Sequence, residues 1–271
     1  MKTYVITGAT SGIGRALLEE FSKEGLVFAG YRNPKYEAEL ASMKNVVPFF
    51  IDMEKPYTIK GAADFIKQKT DKIDVLINGA GCVIAGAMEH MEASRLRRQF
   101  EVNTFSHLEF TQNLIPLLPN GRVINISSMA SFGIFPFVAP YCASKRALDI
   151  LFNAMSVEMQ GKLNVISIKP GVIATPLWEK SIELNKNALE NDTKYSKEMH
   201  FMEANAVKNG KKGLPVSKVT ALIKKVAAAK NPKSSYTIGL DAFAAEQISK
   251  LPPAIINKLM QLGLKKRISS V

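Results

Sequence analysis

Tyr141 and Lys145 stand four residues apart in YCASK, and Ser128 lies thirteen residues before Tyr141 in NISSMAS. A free phenol titrates at about pH 10. An ammonium beside it favours the phenolate and lowers that value. Residues at i and i+4 share one helix face, so Lys145 can lie next to Tyr141. A serine hydroxyl both donates and accepts, so Ser128 can hold the same reacting oxygen. Ser127 is the alternative, and the spacing to Tyr141 favours Ser128. Together these groups can move a proton to or from a carbon-bound oxygen. With a hydride carrier nearby they would reduce a carbonyl or oxidise an alcohol.

The N-terminus reads as the site for such a carrier. The short apolar run Tyr4–Ile6 predicts a buried strand, and helical spacing begins after Arg15. Between them lie Gly8, Thr10, Ser11, Gly12, Ile13 and Gly14, in the spacing G-x-x-x-G-x-G. A strand, a glycine-rich turn and a helix N-terminus form a cradle for anions. The glycines let the backbone approach a pyrophosphate closely.

The elements that must position these residues follow from pattern. Strands are predicted near 2–7, 26–31, 46–51, 73–78, 121–127, 163–168 and 235–239, and helices near 12–24, 57–70, 93–118, 140–160 and 215–230. Their alternation predicts right-handed βαβ units and a doubly wound parallel sheet of about seven strands, with helices on both faces. The runs VLIN, VINIS and VISIK are almost continuously apolar, as strands covered on both faces are. Gly8, Asn78, Ser127, Ser128 and Pro170 then fall at strand C-terminal ends, the edge where open α/β sheets bind ligands. The 271 residues read as one Rossmann-type α/β domain.

In combination these residues resemble the short-chain dehydrogenase/reductase family, classical type. TGATSGIG (Thr7–Gly14) is similar to its cofactor motif, and NGAG (Asn78–Gly81) to its NNAG motif, with Gly79 in place of the second Asn. The resemblance implies that Asp52 contacts the adenine ring, with Met53, Asn78, Gly79 and Ala80 along the cofactor. KPGVIATP resembles the PG motif, so Pro170, Gly171 and Ile173 would border the nicotinamide and Thr175 would touch its carboxamide. Asn103, Ser128, Tyr141 and Lys145 match the catalytic tetrad. Lys145 would hold the nicotinamide ribose and depress the Tyr141 pKa, and Asn103 would hold a water in a proton relay. The resemblance also implies a small-molecule carbonyl or alcohol substrate and a homodimer or homotetramer, paired through helices 93–118 and 140–160.

The form of the cofactor is read from the end of the second strand. An NAD site wants a carboxylate roughly 20 residues after the glycines. Here stand Tyr31, Arg32 and Asn33. Arg32 is suited to clamp a 2′-phosphate with its planar fork, and Asn33 lies beside it. NADPH/NADP+ is therefore expected over NADH. Ser11 occupies the position before Gly12, where a basic residue would supply a second phosphate contact.

The substrate side carries weaker signals. Segment 172–209 matches the family's mobile lid and holds Trp178 among other apolar residues. Phe135 and Phe137, between Ser128 and Tyr141, would face the same cavity. Such linings suit a lipophilic carbonyl or alcohol of steroid, retinoid or acyl type, or serve as ordinary packing. His90, His107 and His200 lack metal-ligand spacing, so no metal is expected. Cys82 and Cys142 suggest no disulfide framework, which fits a reducing, cytoplasmic setting. The first strand begins too early for a targeting segment, and no apolar run is long enough to span a membrane.

Charge is uneven. Residues 205–271 hold 13 Lys and Arg against 2 Asp and Glu, within a net charge of +12 for the chain. The extension 241–271 contains LPPAIINKLMQLGLKKR, a basic amphipathic pattern opening after Pro252–Pro253. The pattern can lie on an anionic membrane surface or cap its own domain. It resembles the tails of retinol- and hydroxysteroid-type members. No recognition motif accompanies the charge, so nucleic acid is not expected. A silent NADP-binding sensor and a membrane-surface lipid-binding protein are the alternatives to an enzyme.

Overall fold

The structure is a computed structural model that describes residues 1–268; for 189–191 and 265–268 it describes the backbone alone. Seven strands, β1 (Lys2–Ile6), β2 (Gly25–Tyr31), β3 (Val46–Phe50), β4 (Val75–Asn78), β5 (Arg122–Ile126), β6 (Asn164–Pro170) and β7 (Ser235–Ile238), form one sheet in the order β3-β2-β1-β4-β5-β6-β7. All six pairings are parallel. The chain winds outward from β1 to β3, then crosses back to β4 and winds the other way. The switch point lies between β1 and β4, where a crevice opens at the strand ends.

The helices are α1 (Gly12–Phe21), α2 (Glu37–Ser42), α3 (Pro56–Lys67), α4 (Ala93–Phe100), α5 (Ser106–Leu114), α6 (Ala139–Glu158), α7 (Leu177–Asn191), α8 (Ser196–Lys212), α9 (Val216–Ala228), α10 (Leu240–Ile248) and α11 (Pro253–Ile268). Two apolar cores cover the two faces of the sheet. Ile6, Ala29, Ile77 and Ile124 face α1 and α9, whereas Val5, Phe28, Leu76 and Val123 face α3, α5 and α6. Strand periodicity alone assigns these residues to opposite faces. The strands match the sequence reading closely. Helices α2, α7, α8 and α10 do not follow from the apolar pattern: α2 is short, and the lid segment mixes charged and apolar positions.

The helix predicted over 93–118 is continuous but not regular. Its middle, Glu101–Phe105, is a π-helical turn between α4 and α5. Such a bulge inserts one residue per turn and re-aims the side chains that follow. It separates Asn103 from the regular register and turns His107 inward, where it is fully buried. His107 Nε2 lies 2.8 Å from the Ala80 carbonyl oxygen, so the neutral imidazole donates from that nitrogen. Burial, and then the nearby Lys145 charge, push the imidazole pKa down to about 3.

The folded chain therefore keeps His107 neutral, while the unfolded chain takes up a proton near the ordinary value of 6.5. Stability is full above that value and falls as pH drops from it towards about 3. The His107→Gln variant keeps a donor for Ala80 and removes the titration. Its urea midpoint should fall less steeply than that of the parent chain between about pH 7 and 5. Parallel slopes would assign the acid sensitivity to another group.

Candidate active site

The glycine turn is built by close backbone approach. Gly8 has φ +71°, and a Cβ there would sit 2.9 Å from the Ala80 backbone. Gly14 packs against the Gly8 carbonyl, where a side chain has no room. Thr7 joins this turn to the one after β4, because its Oγ1 accepts from Gly79 N at 3.0 Å and Ala80 N at 3.3 Å. Ser11 is the N-cap of α1 but makes no side-chain cap bond, and no acidic residue stands in the first turn. Uncapped N–H groups facing a glycine cradle suit a pyrophosphate. The residues present thus fit a dinucleotide.

Behind the cradle lies a set of buried polar contacts. Asn78 Nδ2 donates to Asn125 Oδ1 at 2.8 Å and to Thr111 Oγ1 at 3.2 Å. Asn103 Oδ1 accepts from Cys82 N at 2.9 Å, and its Nδ2 donates to Cys82 O at 3.0 Å and Ser144 Oγ at 3.2 Å. Both asparagines are buried: Asn78 links side chains of β5 and α5, and Asn103 holds the Cys82 backbone beside α6.

Lys145 is 4% exposed and donates to the Ile126 carbonyl at 2.7 Å. Its Nζ lies 3.8 Å from where a Gly81 Cβ would stand, so the turn after β4 borders the ammonium. Burial lowers its pKa to about 8, and the Asp149 carboxylate opposes that shift. Asp149 is itself paired with Lys169 at 3.0 Å, deep in the protein. The Tyr141 phenol is pushed up to about 12 by burial, with a hydrogen bond from Ser128 in the opposite sense. Burial outweighs the depression of this phenol expected from Lys145. Ser128 Oγ accepts from Ala130 N at 3.1 Å and so keeps its own proton for the oxygen beside it, here that of Tyr141.

One cavity of about 1360 Å³ joins these parts. Its wall includes Gly8, Thr10, Ser11, Gly12, Ile13, Gly14, Arg32, Met53, Gly79, Ala80, Ser128, Tyr141, Lys145, Pro170, Gly171, Ile173 and Thr175. Phe135, Phe137 and Trp178 line it as well. Phe137 takes φ +65°, a left-handed conformation unusual for a bulky residue. Four other predicted site residues lie off the wall. Asn78 and Asn103 are buried behind it. Asn33 turns its Oδ1 to Lys35 N at 3.1 Å, closing a local turn. Asp52 Oδ1 accepts from Glu54 N at 3.1 Å. Arg32 is at the wall, 3.4 Å from Glu54, which also accepts from Arg98 at 2.7 Å.

Several wall residues escaped the sequence reading. Glu54 and Arg98 face the cavity beside Arg32. Lys180 reaches it from α7, and the extension supplies Ile248, Ile256, Leu259 and Met260 from α10 and α11. The extension therefore packs along the cavity, as the capping alternative expects; the side chains of its basic end, 265–271, lie outside the described residues. The segment 172–209 forms α7 and most of α8. It is anchored by Asn185, whose Nδ2 donates to Val83 O at 2.8 Å and whose Oδ1 accepts from Ala85 N at 2.8 Å and Arg95 Nη2 at 2.6 Å. Asn185 carries no motif, and its partners lie about a hundred residues away in sequence. Among the described residues, no helix is long and apolar enough to cross a membrane and no His/Cys/Asp/Glu group suits a metal.

Comparison with known proteins places this arrangement. The short chain dehydrogenase family model matches residues 2–186. An NADPH-dependent 3-dehydrocapnine reductase of Ornithobacterium rhinotracheale is 31% identical over 280 residues, covering 98% of each chain. A probable short-chain type dehydrogenase/reductase of Helicobacter pylori is 30% identical, over 97% of this chain and 98% of its own. Among solved structures, a short chain dehydrogenase/reductase of Burkholderia phymatum in complex with NAD superposes with a TM-score of 0.80 at 20% identity, over 91% of this chain and 92% of that one. An actinorhodin polyketide ketoreductase with NADPH gives 0.71 at 22% identity, over 88% and 95%. The match of one family model to more than half the chain, on a seven-stranded parallel sheet, makes this protein a member of the short-chain dehydrogenase/reductase family, NAD(P)-dependent oxidoreductases.

Proposed function

We propose that this protein is an NADPH-dependent reductase of a lipophilic carbonyl compound, with Tyr141 as the general acid. What supports the reading is one continuous cavity. It runs from the glycine cradle, past Ser128, Tyr141 and Lys145, to an apolar end lined by Phe201, Met202, Leu259 and Met260. Its volume exceeds that of an ordinary small-ligand pocket, about 300–1,000 Å³, so a dinucleotide leaves space for a long apolar substrate. The NADPH dependence named for the Ornithobacterium rhinotracheale relative supports the cofactor form, as does Arg32 at the wall.

A dinucleotide with its pyrophosphate on the cradle would supply the hydride from its nicotinamide. Tyr141 gives its phenolic proton to the substrate oxygen as the carbonyl carbon is reduced. With its pKa near 12, the phenol stays protonated and able to donate across neutral pH. Ser128 donates its free proton to the same oxygen and stabilises the developing negative charge. Lys145 sits beside the cradle with its ammonium on the Ile126 carbonyl, where its positive charge offsets the negative charge left on Tyr141. Asn103 holds the Cys82 backbone and Ser144, and so keeps the turn after β4 against α6. The apolar wall excludes water from the reacting carbon.

The outer face of the C-terminal helices supports a second, compatible reading, peripheral contact with an anionic membrane. Leu240 is 90% exposed, and Phe243 on α10 and Ile255 and Leu262 on α11 are also exposed, in the strongly basic part of the chain. Co-sedimentation with phosphatidylserine-containing vesicles should be lost in a Leu240→Ser, Phe243→Ser double variant. Equal sedimentation of parent and variant would remove this reading.

The enzymatic reading is tested with long-chain ketones and NADPH. Tyr141→Phe should lower kcat by about 100-fold or more while NADPH still binds. Retained turnover in that variant would refute the role of Tyr141.

A further inference from the structure

The chain has no basic residue in the glycine turn, yet a cation stands there in space. Lys180 Nζ, on α7, donates to Ser11 Oγ at 2.9 Å, across 169 positions of sequence. This is the one polar contact of the Lys180 ammonium among the described residues. Ser11 is available for it because its hydroxyl does not cap α1.

The position of α7 is built rather than loose. Ser181, next to Lys180, is buried, with its Oγ 3.4 Å from the Val83 carbonyl. Asn185, one turn on, is bonded to the backbone of Val83 and Ala85. At the start of the helix, Trp178 Nε1 donates to the Ile173 carbonyl at 2.7 Å. Thr175 touches the space above Gly12, 3.4 Å from where its Cβ would be. The helix is thus pinned on either side of Lys180, and the lysine is aimed back at the rim of the cradle.

Arg32 belongs to the same rim. Ala9 N donates to the Gly30 carbonyl at 3.2 Å, which sets the glycine turn against the end of β2. Ser11 follows Ala9 by two residues and Arg32 follows Gly30 by two, and both line the cavity together with Lys180. Arg32 is half-engaged by Glu54 at 3.4 Å, and Glu54 has a closer partner in Arg98. A phosphate group arriving here would meet a planar guanidinium from the strand and an ammonium from the helix above.

We propose that Lys180 is the second cation for the 2′-phosphate of NADPH, replacing from α7 the basic residue that Ser11 displaces from the turn. The inference rests on the NADPH reading above. It makes cofactor choice depend on the helix that also walls the substrate end. The Ser11 hydroxyl then positions the ammonium when no phosphate is bound.

The test is binding, not turnover. Dissociation constants of NADPH and NADH are measured by isothermal titration calorimetry on the full chain, on Lys180→Met and on Lys180→Arg. Loss of one charge-assisted contact should weaken NADPH about tenfold to a hundredfold in Lys180→Met, leave NADH within about twofold, and be largely rescued in Lys180→Arg. Equal weakening of both cofactors would assign Lys180 to the pyrophosphate and overturn the proposal. So would unchanged binding of both. Lack of rescue by arginine, with NADPH alone weakened, would show that charge is not the cause and would overturn it too. Arg32→Glu separates the two levels. A parent chain that does not prefer NADPH, and does not respond to Arg32→Glu, defeats the NADPH reading and this inference together. A parent that prefers NADPH through Arg32, with Lys180→Met silent, defeats the inference alone.

Discussion

The site depends on an ammonium taken out of water. Lys145 is buried with one carbonyl, Ile126 O, as its hydrogen-bond partner. Removing a charge from water costs several kcal/mol even after relaxation, as an order of magnitude. The surroundings are arranged to tolerate that cost. Asp149, one turn along α6, supplies an opposing field, and Lys169 balances Asp149 in turn. Gly81 borders the ammonium, and the π-helical turn carries Asn103, which bonds the segment that holds Gly81 and Cys82. The end of β5, the turn after β4 and the face of α6 are therefore positioned around one charge.

The same burial decides the protonation order. The apolar surroundings that push Lys145 down also push Tyr141 up, so the two values move apart. Burial thus favours the neutral form of the phenol. A motif lists a tyrosine and a lysine, but the direction of each shift comes from what is packed around them. Charges on the cavity wall follow a similar rule. Glu54 accepts from both Arg32 and Arg98, which tethers the largely exposed strand-end arginine at the cavity wall.

The substrate end is made from parts that are distant in sequence. Helices α7 and α8 cover the cavity, and α10 and α11 close its apolar side. Asn185 fastens α7 to the turn after β4, so the wall over the substrate and the wall along the cofactor share one anchor. Phe137, held at positive φ, has its carbonyl bonded to Gly86 N at 2.8 Å and its ring against Tyr195. Side chains from four segments thus meet at that end, and a change in one is felt by the others.

Much of the fold was legible in the chain itself. Two-faced burial demands continuous apolar runs, so β1, β4, β5 and β6 announce themselves, and the glycine turn and YCASK stand at their ends. Local rules suffice there because the constraint is local: a strand period, a helix spacing, a backbone with no room for Cβ. They also suffice for Ser128, Tyr141 and Lys145, which lie on one sheet edge and the helix beside it. They do not reveal that one oxygen each of Asn33 and Asp52 accepts from a neighbouring backbone N–H. They fail for Lys180 and Asn185, whose partners are brought close only when α7 folds over the sheet. The amphipathic C-terminal stretch is the plainest case. Its pattern required an apolar partner but could not say whether that was lipid or protein, and tertiary packing supplied the cavity wall for one face while leaving Ile255 and Leu262 exposed. Sequence determined the sheet, the glycine turn and the order in which Ser128, Tyr141 and Lys145 follow the strands, because each is written in neighbouring residues. Tertiary structure decided their charge states, the shape of the substrate end and the cations around the cofactor rim, because burial and long-range contact exist only in the folded chain.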